Sequence, residues 1–259
     1  MNMAEKTARA LEAHPLITAA GICSTPKVFC DGGGDTDIFV YCSKIPGERE
    51  RLELISGASQ DFTPGTEPGR WGLCDLTHID GNEVWLMYVT EEDTQREIEA
   101  ILKGDWPDRL DNYYYPVGRL ATIKNLKALF DKTGFIGQLK SKVETYPDEL
   151  ARKLTRFHAE ALSDTEDLER AAKRGDVLYY HFALDLALDH FLQALFALNR
   201  EYFPSRKRSL KYIAGFKLKP PRCEETLLEA VRLGSSAEGT SASFELVAQL
   251  IEWTRSQRL

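Results

Sequence analysis

The chain has no run of eighteen apolar residues, which argues against a membrane-spanning helix. Its opening segment carries Glu5, Lys6, Arg9 and Glu12 where a secretion signal would need an apolar stretch, so a cytoplasmic location is expected. Cys23, Cys30, Cys42, Cys74 and Cys223 are odd in number and include no Cys-x-x-Cys pair, which argues against a disulfide frame or a zinc site. Basic excess is also missing. A net charge of −7 speaks against a broad nucleic-acid face and suits a nucleotide or another small substrate better. No internal repeat is apparent. What remains is an ordinary globular composition, 43% apolar and 28% charged, in 259 residues, enough for one or two domains.

The richest stretch is Gly32-Gly33-Gly34-Asp35-Thr36-Asp37 running into Ile38-Phe39-Val40-Tyr41. A glycine turn opens a β-branched and aromatic run, and strand alternation sends Asp35 and Asp37 to the same face. Two carboxylates that close repel unless one is protonated or a cation shares the site. Hard divalent cations that also bind phosphate oxygens, Mg²⁺ above all, suit such a pair. An acidic hairpin turn is the plainer alternative. Further on, Asp80-Gly81 is a turn signal before the strand-like run Glu83-Val84-Trp85-Leu86-Met87-Tyr88-Val89. Glu83 is the carboxylate at the entrance of that run, and a metal-assisted transfer site needs a further acid as ligand or base. Asp75, His78 and Asp80 compete with it, and a surface glutamate on an edge strand is the alternative for Glu83 itself.

The pattern along the chain predicts an α+β protein: a small mixed-sheet domain over 1–118, then an all-helical bundle over 119–259. Helices are expected at 4–13, 47–56 and 91–102, a loop at 59–71, and a last short strand at 112–116. From Arg119 the apolar period is helical almost throughout. Ser163-Asp164-Thr165-Glu166 reads as a capping box. The longest helix, 176–202, is apolar nearly all round and is expected to be heavily buried. Within it His181, Asp185 and Asn199 fall on one stripe, with Asp189 and His190 nearby. That stripe either satisfies hydrogen bonds inside the bundle or lines a substrate pocket.

These features resemble the DNA polymerase β-like nucleotidyltransferase superfamily, in which a Gly-Ser pair precedes an Asp-x-Asp strand. Ser24 stands eleven residues before Asp35, and Glu83-Val84-Trp85-Leu86 is similar to the strand carrying that family's third acid. The helical half resembles that of aminoglycoside adenylyltransferase-like proteins, whose Asn, aromatic, Pro and Lys are matched by Asn199, Tyr202, Pro204 and Lys207. In that family the active site lies in a cleft between the two domains. The resemblance spans about 24–221. It implies a Mg²⁺-dependent nucleotidyltransferase that moves AMP from ATP, or another NTP, to a hydroxyl of a small acceptor; the acidic balance and the lack of a long apolar run argue against nucleic acid and membrane as partners. By the same resemblance Asp35, Asp37 and Glu83 are metal ligands and catalytic groups, and Ser24 and Lys207 touch the nucleotide; Asp185 and Asp189 are candidates for an acidic cleft, which would suit a polycationic, aminoglycoside-like acceptor. One departure stands out: Cys23 occupies the family's glycine position. It leaves open a degenerate domain acting as a nucleotide-binding or regulatory module, and transfer to a protein is a further alternative.

Overall fold

The computed structural model describes residues 3–23, 35–59, 61–105, 115–163 and 165–257. Contacts divide the chain into two compact units, Met1–Thr145 and Tyr146–Leu259. The junction therefore falls later than the 118/119 boundary read from the sequence, because the segment after 118 returns to the sheet.

The first unit carries α1 (Met3–Glu12), β1 (Ile17–Cys23), β2 (Thr36–Cys42), α2 (Glu48–Ile55), β3 (Phe62–Thr63), β4 (Leu73–Ile79) and β5 (Asn82–Thr90). After these come α3 (Glu91–Lys103), α4 (Pro116–Asn125), β6 (Leu126–Asp131) and α5 (Phe135–Val143). The strands form one mixed sheet of order β3-β4-β5-β2-β1-β6, in which β2 and β5 run parallel and the other pairs antiparallel. β6 lies where a continuous helix was expected. Its register against β1, Ala20 opposite Phe130 and Cys23 opposite Leu126, closes one edge. Tyr115 is the N-cap of α4 rather than part of a strand, and 112–114 lie outside the described residues.

One sheet face packs on α1 and α2 through Leu11, Ile17, Ile38, Val40, Ile55, Val84, Leu86 and Tyr88. At the other face, Tyr41 meets the ring of Phe135 on α5 edge-on at 5.3 Å, and Phe39 meets Trp71 at 6.2 Å. The β4–β5 connection is the two-residue turn signalled by Asp80-Gly81. Its φ angles of 52° and 76° are both left-handed, as a tight hairpin turn matching strand twist requires.

A buried network ties α2 to β4. Arg51 Nε donates to Asp75 at 2.8 Å, its two terminal nitrogens donate to the carbonyls of Pro46 and Gly65 at 3.0 Å each, and Gly65 N–H donates to the same carboxylate at 2.9 Å. The guanidinium also lies 5.6 Å from the Tyr88 ring centroid. Every donor that holds Asp75 is thus supplied by the fold, which is what makes so buried a charge tolerable.

The second unit is helical: α6 (Asp148–Ala161), α7 (Glu166–Arg174), α8 (Val177–Leu198), α9 (Ser209–Ile213), α10 (Cys223–Leu233) and α11 (Thr240–Ser256). The cap of α7 is Thr165, with no side-chain cap bond, so the helix begins later than the capping-box reading predicts. Tyr180 on α8 donates to Ser243 on α11 at 2.7 Å, and Ser243 donates to the Ala230 carbonyl on α10 at 2.6 Å, locking three helices together. α8 is buried throughout Phe191–Leu198, but Leu178, Phe182 and Leu186 in its first half are exposed, contrary to the expectation of burial along its whole length.

Candidate functional site

Strand parity sorts the candidate residues. In the parallel β2–β5 ladder Asp37 lies opposite Trp85 and Phe39 opposite Met87, and paired residues share a face. Two residues earlier on β5, on that same face, is Glu83; Asp35 holds the corresponding position just before β2. Across the antiparallel β4–β5 hairpin, His78 pairs with Glu83 and Leu76 with Trp85. One end of the sheet, on the face away from α1 and α2, therefore presents Asp37, Glu83, Trp85 and His78, with Asp35 just before β2. Asp35 and Glu83 are exposed, while Asp37, Trp85 and His78 are half-buried.

The competing acids are separated from this group by the same parity. Asp75 faces the opposite side, sealed against Arg51. Asp80 lies in the turn, where both its oxygens accept from Lys6 of α1 at 2.6 and 2.7 Å.

Within the group, Trp85 Nε1–H donates to Glu83 Oε1 at 2.9 Å. His78 is held by Asp61, whose carboxylate accepts from the His78 backbone N–H at 2.9 Å and lies 3.0 Å from Nδ1 by each oxygen. The hydrogen bond from His78 holds the Asp61 carboxyl below the usual carboxylate range. Deeper on the same face, burial and then the nearby Asp37 and Asp75 charges push the Cys74 thiol up, partly offset by Arg119. Arg119, buried on α4, pairs with Glu97 at 3.2 Å and lies 5.0 Å above the Trp71 ring. The sequence reading missed Arg119, which had no signal beyond a basic residue in a helical run. Asp61 was missed because the contact that defines it links residues seventeen apart across two strands.

Among the described residues, no three His, Cys, Asp or Glu side chains converge closely enough to hold a metal ion by themselves. Mg²⁺ does not require three, since it usually keeps several waters and takes one or two carboxylates together with substrate phosphates. Asp35 and Asp37, hard oxygen donors two residues apart at the start of β2, fit that mode of binding.

Ser24 lies outside the described residues. Its neighbour Cys23 ends β1, only 2% exposed, with its thiol directed at the Thr122 carbonyl of α4 at 3.8 Å. The Cys23 side chain thus packs into the unit's own interior.

In the helical unit, Asp185 and Asp189 converge on one cation. Arg206 Nε donates to Asp189 at 2.6 Å, and the same guanidinium bonds Asp185. Asp189 is 1% exposed and also accepts from Gln193 at 2.8 Å, so it serves the interior, whereas Asp185 is open to solvent. Asn199 caps α8, its amide donating to the Leu195 and Leu218 carbonyls at 2.9 and 2.7 Å, and Lys207 is exposed. His190 Nδ1 lies 2.9 Å from Nδ1 of His158 on α6.

Comparison with known proteins agrees with this architecture. Residues 114–208 match a domain of unknown function (DUF4037). No curated protein matches the chain. A nucleotidyltransferase-like protein from Exiguobacterium sibiricum 255-15, solved by crystallography, is similar with a TM-score of 0.50 and 12% identity, over 96% of this chain and 74% of that one. The chain has an α+β fold similar to that of this nucleotidyltransferase-like protein. No helix among the described residues is long and apolar enough to cross a membrane.

Proposed function

We propose that the protein is a Mg²⁺-dependent nucleotidyltransferase that transfers AMP from ATP to a hydroxyl of a small acceptor. The observation that supports this reading is the register Asp37–Trp85, which gives Asp37 the sheet face of Glu83, with Asp35 immediately before β2. Asp35 and Asp37 would hold the metal, whose charge neutralises the transferring phosphate and helps align the attack. Glu83 serves as a further ligand or as base. Ser24 and Lys207 enter as nucleotide contacts on the strength of the family resemblance, with Lys207 a point charge suited to phosphate oxygens. For a polycationic, aminoglycoside-like acceptor, Asp185 is the carboxylate open to solvent, and Asp189 acts by fixing Arg206 beside it.

The test is incubation with each labelled NTP, Mg²⁺ and a panel of amino sugars, following pyrophosphate release. Asp35→Asn and Asp37→Asn remove charge and not volume, so each should abolish release while leaving the far-UV circular dichroism unchanged. Turnover surviving both substitutions would sink the reading.

The alternative, a degenerate nucleotide-binding or regulatory module, is favoured by Cys23 at the glycine position. Against it stands the burial of that side chain, which leaves the strand end unobstructed by the thiol. Calorimetric titration with ATP, with and without Mg²⁺, separates a metal-dependent site from a degenerate one.

A further inference from the structure

We propose that His78, oriented by Asp61, accepts the proton of the attacking hydroxyl, and that Glu83 beside it is committed to binding. The proposal rests on the nucleotidyl-transfer reading above and names the base within it.

The support is geometric. Asp61 is fixed through its backbone, where its carbonyl accepts from Thr77 Oγ1 at 2.6 Å and also from the Ser59 hydroxyl. Its carboxylate then grips His78 twice, at the backbone N–H and at ring Nδ1. An ionised carboxylate can only accept, so Nδ1 carries a proton, and in the neutral ring Nε2 is then the nitrogen that holds a bare lone pair. This is the arrangement of a histidine base with its orienting acid. The ring is 39% exposed, so Nε2 is not sealed away. As a cross-strand pair, His78 and Glu83 have Cβ atoms about 5 Å apart on the site's own face. β4 lies two strands from β2, or roughly 10 Å. A substrate with its α-phosphate over Asp35 and Asp37 would extend its acceptor hydroxyl across Glu83 towards His78. Glu83 is the weaker choice as base, because one of its oxygens already accepts the Trp85 indole N–H. Histidine is also the side chain best matched to accepting a proton near neutral pH.

In the step itself, the hydroxyl oxygen bonds to the α-phosphorus as its proton passes to His78 Nε2. The bond from the α-phosphorus to the bridging oxygen breaks, and pyrophosphate leaves with that electron pair. His78 then loses its proton to solvent. The opposing explanation is that Asp61 and His78 merely clip β3 to β4, a role that would affect stability and not the pH profile.

The experiment uses the full chain with Mg²⁺, each NTP, and amino sugars, glycerol and water as acceptors. It measures kcat/KM against pH, NTP affinity by calorimetry, and thermal stability for the native chain, His78→Gln and Asp61→Asn. His78→Gln should lose about 10²–10⁴-fold in kcat/KM. It should also lose the acid limb of the profile, keep its NTP affinity, and recover activity with added imidazole. Asp61→Asn should lose less, because the ring stays on β4 and loses only the carboxylate that holds Nδ1. Activity of His78→Gln within threefold of native, with the acid limb intact, overturns the proposal and leaves nucleotidyl transfer standing. NTP binding without pyrophosphate release from any acceptor also overturns it. Failure of the native chain to bind any NTP defeats the underlying reading and this proposal together. Should His78→Gln not fold, ¹⁵N chemical shifts of His78 in the native chain decide: a proton on Nε2 rather than Nδ1 above neutral pH refutes the assignment.

Discussion

Acid should unfold the helical unit through one buried imidazole. His158 on α6 is 3% exposed, and burial, followed by the charge of His190, pulls its pKa from 6.5 down to about 3. The geometry supplies the reason. Nδ1 shares a hydrogen bond with His190, while Nε2 is buried without a partner, so a protonated ring would bring a donor to a position with no acceptor. Above pH 6.5 the ring is neutral both folded and unfolded, and the structure keeps its full stability. As pH falls below 6.5 the unfolded chain takes up a proton that the folded chain refuses until about pH 3, so stability is lost across that window. Each pH unit within it costs about 1.4 kcal/mol, or about 2 kcal/mol between pH 6.5 and 5. His190, also lowered chiefly by burial, acts in the same direction.

The assay is urea unfolding at pH 7.5 and pH 5.0, followed by circular dichroism, on the native chain and on His158→Leu. Every other titrating group, His190 included, contributes to both proteins, so the difference between their pH dependences isolates His158. The native chain should lose about 2 kcal/mol more than the variant between the two conditions. Equal losses, or an NMR titration of His158 with a midpoint above about 5.5, would refute the reasoning.

Three further outcomes follow from the first unit. Arg51→Leu strands the Asp75 carboxylate in the interior and should cost about 3–5 kcal/mol in chemical denaturation; a loss below about 1 kcal/mol would show that the pair contributes little. Asp35→Asn should leave the same denaturation curve within about 0.5 kcal/mol of native, since the residue is exposed. Cys23→Gly should bind ATP with Mg²⁺ as well as the native chain or better, at a cost of about 1–2 kcal/mol from lost burial and added backbone entropy. Binding by the glycine variant alone would favour the degenerate module.

What could be read from the sequence was what is local. The Asp80-Gly81 turn, the strands on either side of the acidic pair, and α3 with Gly104 at its left-handed cap are all set by neighbouring residues. β4 was obscured because its inward positions, Leu73, Asp75, Thr77 and Ile79, include two polar residues, whose burial is made tolerable by Arg51 and Gly65 at Asp75 and by Ser59 and Asp61 at Thr77. β6 reads as part of a helical run because it is an edge strand, with exposed Lys127 and Ala128, joined to a partner a hundred residues upstream. In α8, composition could not reveal that the face bearing Leu178, Phe182 and Leu186 stays uncovered.

The choice among Glu83, Asp75, His78 and Asp80 shows most clearly what local sequence withholds. All four lie within nine residues, and any of them could be the third chemical group beside Asp35 and Asp37. In a strand, a shift of one residue sends a side chain to the other face, so the question reduces to parity, and parity depends on pairing between distant strands. β4 and β5 are joined by a two-residue turn, which matches His78 to Glu83 and, two positions along, Leu76 to Trp85. β5 is matched to β2 only through the parallel ladder, whose crossover includes α2, β3 and β4. The result assigns Asp75 to the buried ion pair and Asp80 to Lys6, while Glu83 and His78 share the face of Asp37. It follows that substitutions at Asp75 and at Glu83 should separate cleanly. Asp75→Asn should lower stability, with activity falling only as the folded fraction falls. Glu83→Gln should alter turnover or metal dependence at unchanged stability. If Asp75→Asn removed activity in a fully folded chain, the parity assignment, and with it the composition of the site, would be wrong.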